Sequence, residues 1–192
     1  KTSFHFFPQA YASYSLFDDI LVPYVGIDGE RRRNSFRSLT RENPWLIARP
    51  ALANSSLLYD AYAGLRGSFS SRVGFDVRAS ISAMEDRPLF LAAPNGPFGA
   101  QMAVVYDRVK QFNLSGELNY RMDETVRFHG RIDITNYTTE DQLVPWNLPP
   151  YQLALGATYS MQGKLIAKLE AQFLGQRKAG YYLDPSDPSL TV

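Results

Sequence analysis

The sequence predicts an all-β fold, a transmembrane antiparallel up-and-down β-barrel present as a segment of about eight long strands. Three observations carry that prediction. Apolar and polar residues alternate with period two through eight stretches. Several stretches run past ten residues, whereas soluble strands are usually about 5–6 residues long. The connections alternate short and long. In an up-and-down sheet every second connection lies on the same side, so short turns gather on one rim and long loops on the other. Outer-membrane barrels have this asymmetry.

The clearest stretch is residues 73–84. Val73, Phe75, Val77, Ala79, Ile81 and Ala83 share one parity; Gly74, Asp76, Arg78, Ser80, Ser82 and Met84 share the other. Side chains point to opposite faces of a strand in turn, so all the charge lands on one side. In chain order, residues 2–16 come first, with Phe4, Phe6, Pro8, Ala10, Ala12, Tyr14 and Leu16 in one row. A turn at 17–19 leads to residues 20–33. The faces of this stretch do not separate, because both parities start apolar and Pro23 removes a ladder donor. Residues 34–56 read as a long polar-aromatic connection containing Asn43, Pro44, Trp45 and Pro50.

Residues 57–69 set Tyr59, Ala61, Ala63, Leu65, Gly67 and Phe69 against Asp60, Tyr62, Gly64, Arg66 and Ser68. A turn at 70–72 precedes the 73–84 stretch. Residues 85–100 then read as a long loop, since Pro88, Pro94, Asn95, Gly96 and Pro97 mark irregular backbone. Strands are expected at 101–121, 126–138, 151–160 and 164–178, with short turns at 122–125 and 161–163 and a long loop at 139–149. Residues 179–192, with Pro185 and Pro188, read as a further long loop.

Aromatic residues give an independent check. Tyr14, Phe69, Tyr120 and Tyr159 stand on the apolar parity just before a short turn, and Tyr59 and Tyr151 stand on it at the opposite end. Such rings favour the headgroup zone of a bilayer. From Tyr59 to Phe69, at about 3.3 Å per residue and a tilt of roughly 40°, the strand rises on the order of 25 Å, the height of an apolar barrel band. A soluble sandwich also alternates, and periodicity alone does not say which face is inside. Strand length, aromatic ends and loop asymmetry favour lipid against the apolar row.

Composition narrows the function. A length of 192 residues suggests one domain or a piece of a larger one. The balance of 20 Lys+Arg against 19 Asp+Glu argues against a broad nucleic-acid-binding surface. With no cysteine, disulfides, Cys-based zinc sites and thiol catalysis are excluded. No apolar run is long enough for a transmembrane helix, and a mean hydropathy of -0.26 is compatible with a barrel, which hides its apolar residues at every second position. Lys1 is not an initiator and no signal peptide follows, so a mature or truncated product is expected.

With lipid against the apolar row, Asp76, Arg78, Glu117, Arg121, Arg127, His129, Arg131, Asp133, Lys168 and Glu170 face the interior. Interstrand charge pairing is the expected role, and His129 is expected to be a hydrogen-bonded lumen histidine. Ser3 and His5 share a row, but one such pair does not make a hydrolytic triad. No metalloprotease, nucleophile-elbow, phosphate-loop or dinucleotide fingerprint occurs. No enzyme activity, catalytic residue, cofactor or metal is therefore expected. The run Glu30, Arg31, Arg32 and Arg33 reads as a solvated strand end or as an attractor of an anionic ligand or lipopolysaccharide phosphate. Trp45, Phe90, Phe98, Trp146, Tyr181 and Tyr182 lie in expected long loops, where they are candidates for substrate or partner contact or for packing loop on loop.

The segments "FPQAYASYSL", "PYVGIDGERRRNSFRSLTRENPWL" and "FNLSGELNYRMDETVRFHGRIDITNY", in this layout, resemble the barrel of a TonB-dependent outer-membrane receptor. The resemblance implies a 22-stranded barrel enclosing an N-terminal plug, importing a scarce ligand with energy passed from an inner-membrane complex. Residues 1–192 then form part of such a barrel, without the plug and without an energy-coupling box. The ligand and its binding residues do not follow from the resemblance. A small closed eight-stranded barrel with a structural or adhesive role is the alternative; an outer-membrane hydrolase is a third.

Overall fold

The computed structural model describes residues 6–17, 20–93, 101–161, 164–182 and 190–191. Eight strands form one antiparallel sheet in chain order: β1 (Gln9–Ser13), β2 (Leu21–Arg32), β3 (Ser55–Ser70), β4 (Val73–Ala92), β5 (Met102–Arg121), β6 (Val126–Thr139), β7 (Tyr151–Met161) and β8 (Leu165–Leu174). Each pairs only with its chain neighbours, so β1 and β8 are free edges among the described residues and the sheet is not closed. A two-residue pair, β9 (Tyr181–Tyr182) with β10 (Leu190–Thr191), forms a separate small sheet beside the end of β4, where the Ala92 amide donates to the Gly180 carbonyl.

Register brings the alternation of separate strands into phase. Phe75 lies opposite Leu118 and Ala79 opposite Leu114. Leu114 in turn faces Ile134, Ile132 faces Leu153, and Leu155 faces Ala171. A slip of one residue would flip a whole row to the other face, so this phase is strongly specified. The apolar face remains open: Val77 is 47%, Leu118 50% and Leu169 75% exposed. These aliphatics close on no dry centre, as a sandwich would require. The crowded face is the polar one, where Tyr24, Ser80 and Ser82 are buried.

Pairing settles the faces of β2. Val25 opposes Ala63 and Ile27 opposes Ala61, so Leu21, Pro23, Val25 and Ile27 belong to the apolar row, and Val22, Tyr24, Gly26 and Asp28 to the polar one. The first strand is shorter than expected, covering Gln9–Ser13 with an added bridge between Leu16 and Leu21; residues 2–5 lie outside the described residues. Strand β8 likewise stops at Leu174, short of residue 178.

Two loop expectations need correction. Residues 34–56 contain a helix, α1 (Phe36–Glu42). Its N-cap Ser35 accepts from the Ser38 amide at 3.2 Å, and the Ser35 amide donates to the Ser38 hydroxyl at 2.9 Å. That reciprocal cap satisfies donors which a helix start leaves unpaired. Residues 85–100 are not one long loop, because β4 continues to Ala92 and β5 begins at Met102. Met84 pairs with Val109 and Arg87 with Asp107, so three steps on β4 match two on β5. This is a β-bulge, with Asp86 at φ 51. The extra residue inverts the parity of β4 beyond it and breaks the alternation on which sequence reading relies. Pro88 is tolerated there because β3 has already ended, leaving that edge of β4 without a ladder to serve.

Beyond the bulge, the β4–β5 hairpin rises past the rest of the wall and carries the protein's dry packing. One face, in phase with Phe112 and Leu114, holds Phe90 and Val104 against Leu39 and Leu46. The other face packs Leu89, Leu91 and Val109 around Trp146. Phe90 and Trp146 are therefore buried packing residues, and neither is an exposed loop contact. Trp45 remains 67% exposed. Phe98 lies outside the described residues, and Tyr181 and Tyr182 are described only as backbone.

Candidate functional site: the polar face of the wall

Two tripeptides organise the polar face. Tyr24-Val25-Gly26 on β2 and Tyr62-Ala63-Gly64 on β3 run antiparallel, so each tyrosine stands opposite the other strand's glycine. A Cβ on Gly64 would sit 2.2 Å from the Tyr24 ring, and one on Gly26 2.4 Å from the Tyr62 ring. Only glycine permits rings to lie this close to the backbone.

The settled rings carry a polar network. The Tyr24 hydroxyl donates to Asp76 on β4 at 2.5 Å. Arg78 lies 3.8 Å from the Tyr62 ring centroid and donates to Asp60 at 2.6 Å, which makes it both a cation–π partner and an interstrand ion pair. On β6, Arg131 holds Asp133 through two bonds of 2.8 and 3.0 Å. Glu117 on β5 lies between them, opposite Asp76 on one side and Arg131 on the other. Tyr24, Asp76, Arg78, Ser115, Glu117 and Arg131 enclose a cleft of about 160 Å³.

A second hollow, about 340 Å³, lies nearer the long-loop rim, with Arg32, Asn34, Glu42, Asp60, Arg87 and Gln111 on its walls. Arg87 donates to Gln111 at 2.7 Å and lies 5.3 Å from the Tyr137 ring centroid. Burial pushes the Glu42 carboxyl above its ordinary range, opposed by Arg87. Asp60 stands opposite Asp28, a like-charge pair that Arg78 relieves on one side. Its second carboxylate oxygen is buried with no hydrogen-bond partner among the described residues. The face thus presents donors and acceptors of both signs to polar matter.

The residues predicted for the wet side fall into groups. Asp76, Arg78, Glu117 and Arg131 meet in one cleft, and Asp133 joins them through Arg131. Arg121 and Arg127 face each other near the short-turn rim. Lys168 and Glu170 stand on β8, opposite Thr158 and Gly156 and away from the cleft. His129 differs from expectation: its ring lies on Gly156, where a Cβ would be 1.9 Å away, and its side chain makes no hydrogen bond among the described residues. Ser3 and His5 lie outside the described residues. Sequence reading did not single out Tyr24, Tyr62 or Asp60. The repeated Tyr-x-Gly was the available signal, but it gains meaning only once β2 and β3 are paired.

No family profile matches the chain. No curated protein matches it. Solved structures do. The chain is similar to the copper transporter OprC, at 13% identity and a TM-score of 0.53 over 81% of this chain and 25% of that one. It is similar to a chain of the FpvAI–pyocin S2 complex, at 16% identity and a TM-score of 0.59 over 96% of this chain and 24% of that one. It is also similar to the pyoverdine outer membrane receptor FpvA from Pseudomonas aeruginosa PAO1, at 16% identity and a TM-score of 0.59 over 93% and 26%. In fold the chain therefore resembles the barrel of TonB-dependent outer-membrane receptors. It spans about a quarter of the length of the solved structures it matches.

Proposed function

We propose that the chain is a wall segment of an outer-membrane importer of the TonB-dependent kind. Its apolar face meets hydrocarbon and its polar face lines the lumen. A plug domain elsewhere in the full-length protein fills that lumen, and an inner-membrane complex supplies the energy for uptake. The carrying observation is that eight strands place their aliphatics on one open face, in register, and their charges on the other. The likeness to receptor barrels supports the same reading. The free edges at β1 and β8 favour a larger barrel over a closed eight-stranded one.

Sidedness tests the proposal. The chain has no cysteine, so single thiols introduced into it report cleanly once any cysteine elsewhere in the full-length protein is replaced by serine. Leu143, 75% exposed between β6 and β7, replaced by cysteine in the full-length protein should react with an impermeant maleimide on intact cells. Glu124→Cys, in the turn before β6, should react only after the envelope is opened. Equal labelling of both on intact cells would overturn the assignment. Loss of the gene should abolish uptake of one scarce nutrient, and removing the energy-coupling complex should do the same.

A further inference from the structure

The loop between β2 and β3 holds a charge excess that the transport reading does not use. Residues 30–50 contain six arginines and two glutamates, a net +4 in a chain whose total is +1. Among the described residues Arg32 is paired with Glu30, whereas Arg31, Arg33, Arg37 and Arg41 make no ion pair. All four are exposed.

Position decides what these cations meet. Arg31 follows Val25 and Ile27 in phase on the apolar row, while Glu30 and Arg32 take the polar parity. Part of the loop lies on the same side, although Glu42 reaches the hollow on the polar face. Leu39 and Leu46 pack on Phe90 and Val104, and Val104 is in phase with Phe112 and Leu114. On α1, Arg37 and Arg41 are one turn apart and lie roughly opposite Leu39, so they face away from the hairpin. Ile27 to Arg31 is four residues, about 13 Å of strand and roughly 10 Å of height at a barrel's tilt. Arg31 stands opposite Ser56, three residues beyond Tyr59, the ring at the headgroup end of the apolar row on this rim. Exposed Phe36 is the chain neighbour of Arg37, as apolar rings of the interface often flank cations. A soluble anion on its way through the lumen would instead meet the opposite face, at Arg87 and the Glu30–Arg32 pair.

We propose that this loop is a lipid-headgroup platform, in which Arg31, Arg33, Arg37 and Arg41 bind the phosphates of a phosphorylated lipid in the outer leaflet. The proposal rests on the membrane-wall reading above.

The test uses the full-length protein in vesicles of phosphatidylcholine alone, with added bis-phosphorylated lipid A, or with the same lipid stripped of its phosphates. Lipid retained after gentle detergent extraction is weighed by mass spectrometry, and insertion is followed by heat-modifiable mobility. The native protein should retain the bis-phosphorylated lipid and not the stripped one. Changing all four arginines to glutamine should weaken retention by on the order of fivefold per residue. The charge-conserving lysine set should keep most of it, and Arg72→Gln/Arg121→Gln/Arg127→Gln at the short-turn rim should keep all of it. Insertion with no preference for phosphate, or unchanged retention by the inserted glutamine variant, overturns this proposal alone. Displacement by inorganic phosphate marks a soluble-anion site and also overturns it. Failure of the native protein to insert in any vesicle overturns the membrane-wall reading itself.

Discussion

Gly64 and Gly74 share the polar face, yet a methyl group means different things at each. At Gly64 it would collide with the Tyr24 ring; at Gly74 the nearest atom is 3.7 Å away. Gly64→Ala must move that ring off its bond to Asp76 and is expected to cost about 1–3 kcal/mol. Gly74→Ala is expected to be neutral or to stabilise by up to about 1 kcal/mol, since a strand gains from losing a glycine. Urea titration of the protein folded in lipid vesicles compares the two, and equal effects would remove the ring-on-glycine contact from the account. A second comparison tests the faces. Leu118→Arg should cost about 2–4 kcal/mol in a bilayer, and Asn119→Arg, at the same depth on the polar row, much less. Ser80 is a poor control for this purpose, because it is only 7% exposed and an arginine there has no room.

At the scale of elements, the long-loop rim has a stability of its own. Trp146 is fully buried and donates from its indole to Gln142 at 3.0 Å. Asp107 on β5, 3% exposed, accepts from the amides of Asp141 and Gln142 at 3.0 Å each. One ring and one carboxylate thus anchor the loop between β6 and β7, joined by the Asn147 side chain, which donates to the Phe90 carbonyl at 2.7 Å. Trp146→Ala should release it at a local cost of about 3–5 kcal/mol, read as new protease cleavage within 139–150 while the wall strands stay protected. Protection unchanged by the substitution would show that the loop is held by something else. This rim was the least legible part of the sequence. The bulge at Asp86 shifts the phase of β4, and Pro88 reads as a breaker, so a paired hairpin looked like a loop. Helix α1 was missed because seven residues with one buried leucine leave almost no helical period to detect.

For the whole molecule, an open sheet with one apolar face and two unpaired edges has no stable monomeric state in water. The isolated chain should sediment as an aggregate in plain buffer and become monodisperse in detergent. A well-behaved monomer without detergent would contradict the orientation of the wall. The same openness explains why the dry clusters among the described residues sit at the rim. On the proposed function, apolar side chains of the wall meet lipid and polar ones meet water or a plug, so neither face needs a core of its own.

The sequence by itself determined the strand count, the order of short and long connections, and the identity of the apolar row in six of the eight strands, with β1 agreeing where it is described. Period-two alternation is a local property that each strand carries alone, so it can be read without partners. Tertiary pairing decided the faces of β2, the reciprocal seating of Tyr24 and Tyr62 on Gly64 and Gly26, and the clustering of Asp60, Asp76, Arg78 and Arg131. Those contacts join residues up to about a hundred positions apart, and the register that creates them exists only when two strands are laid side by side.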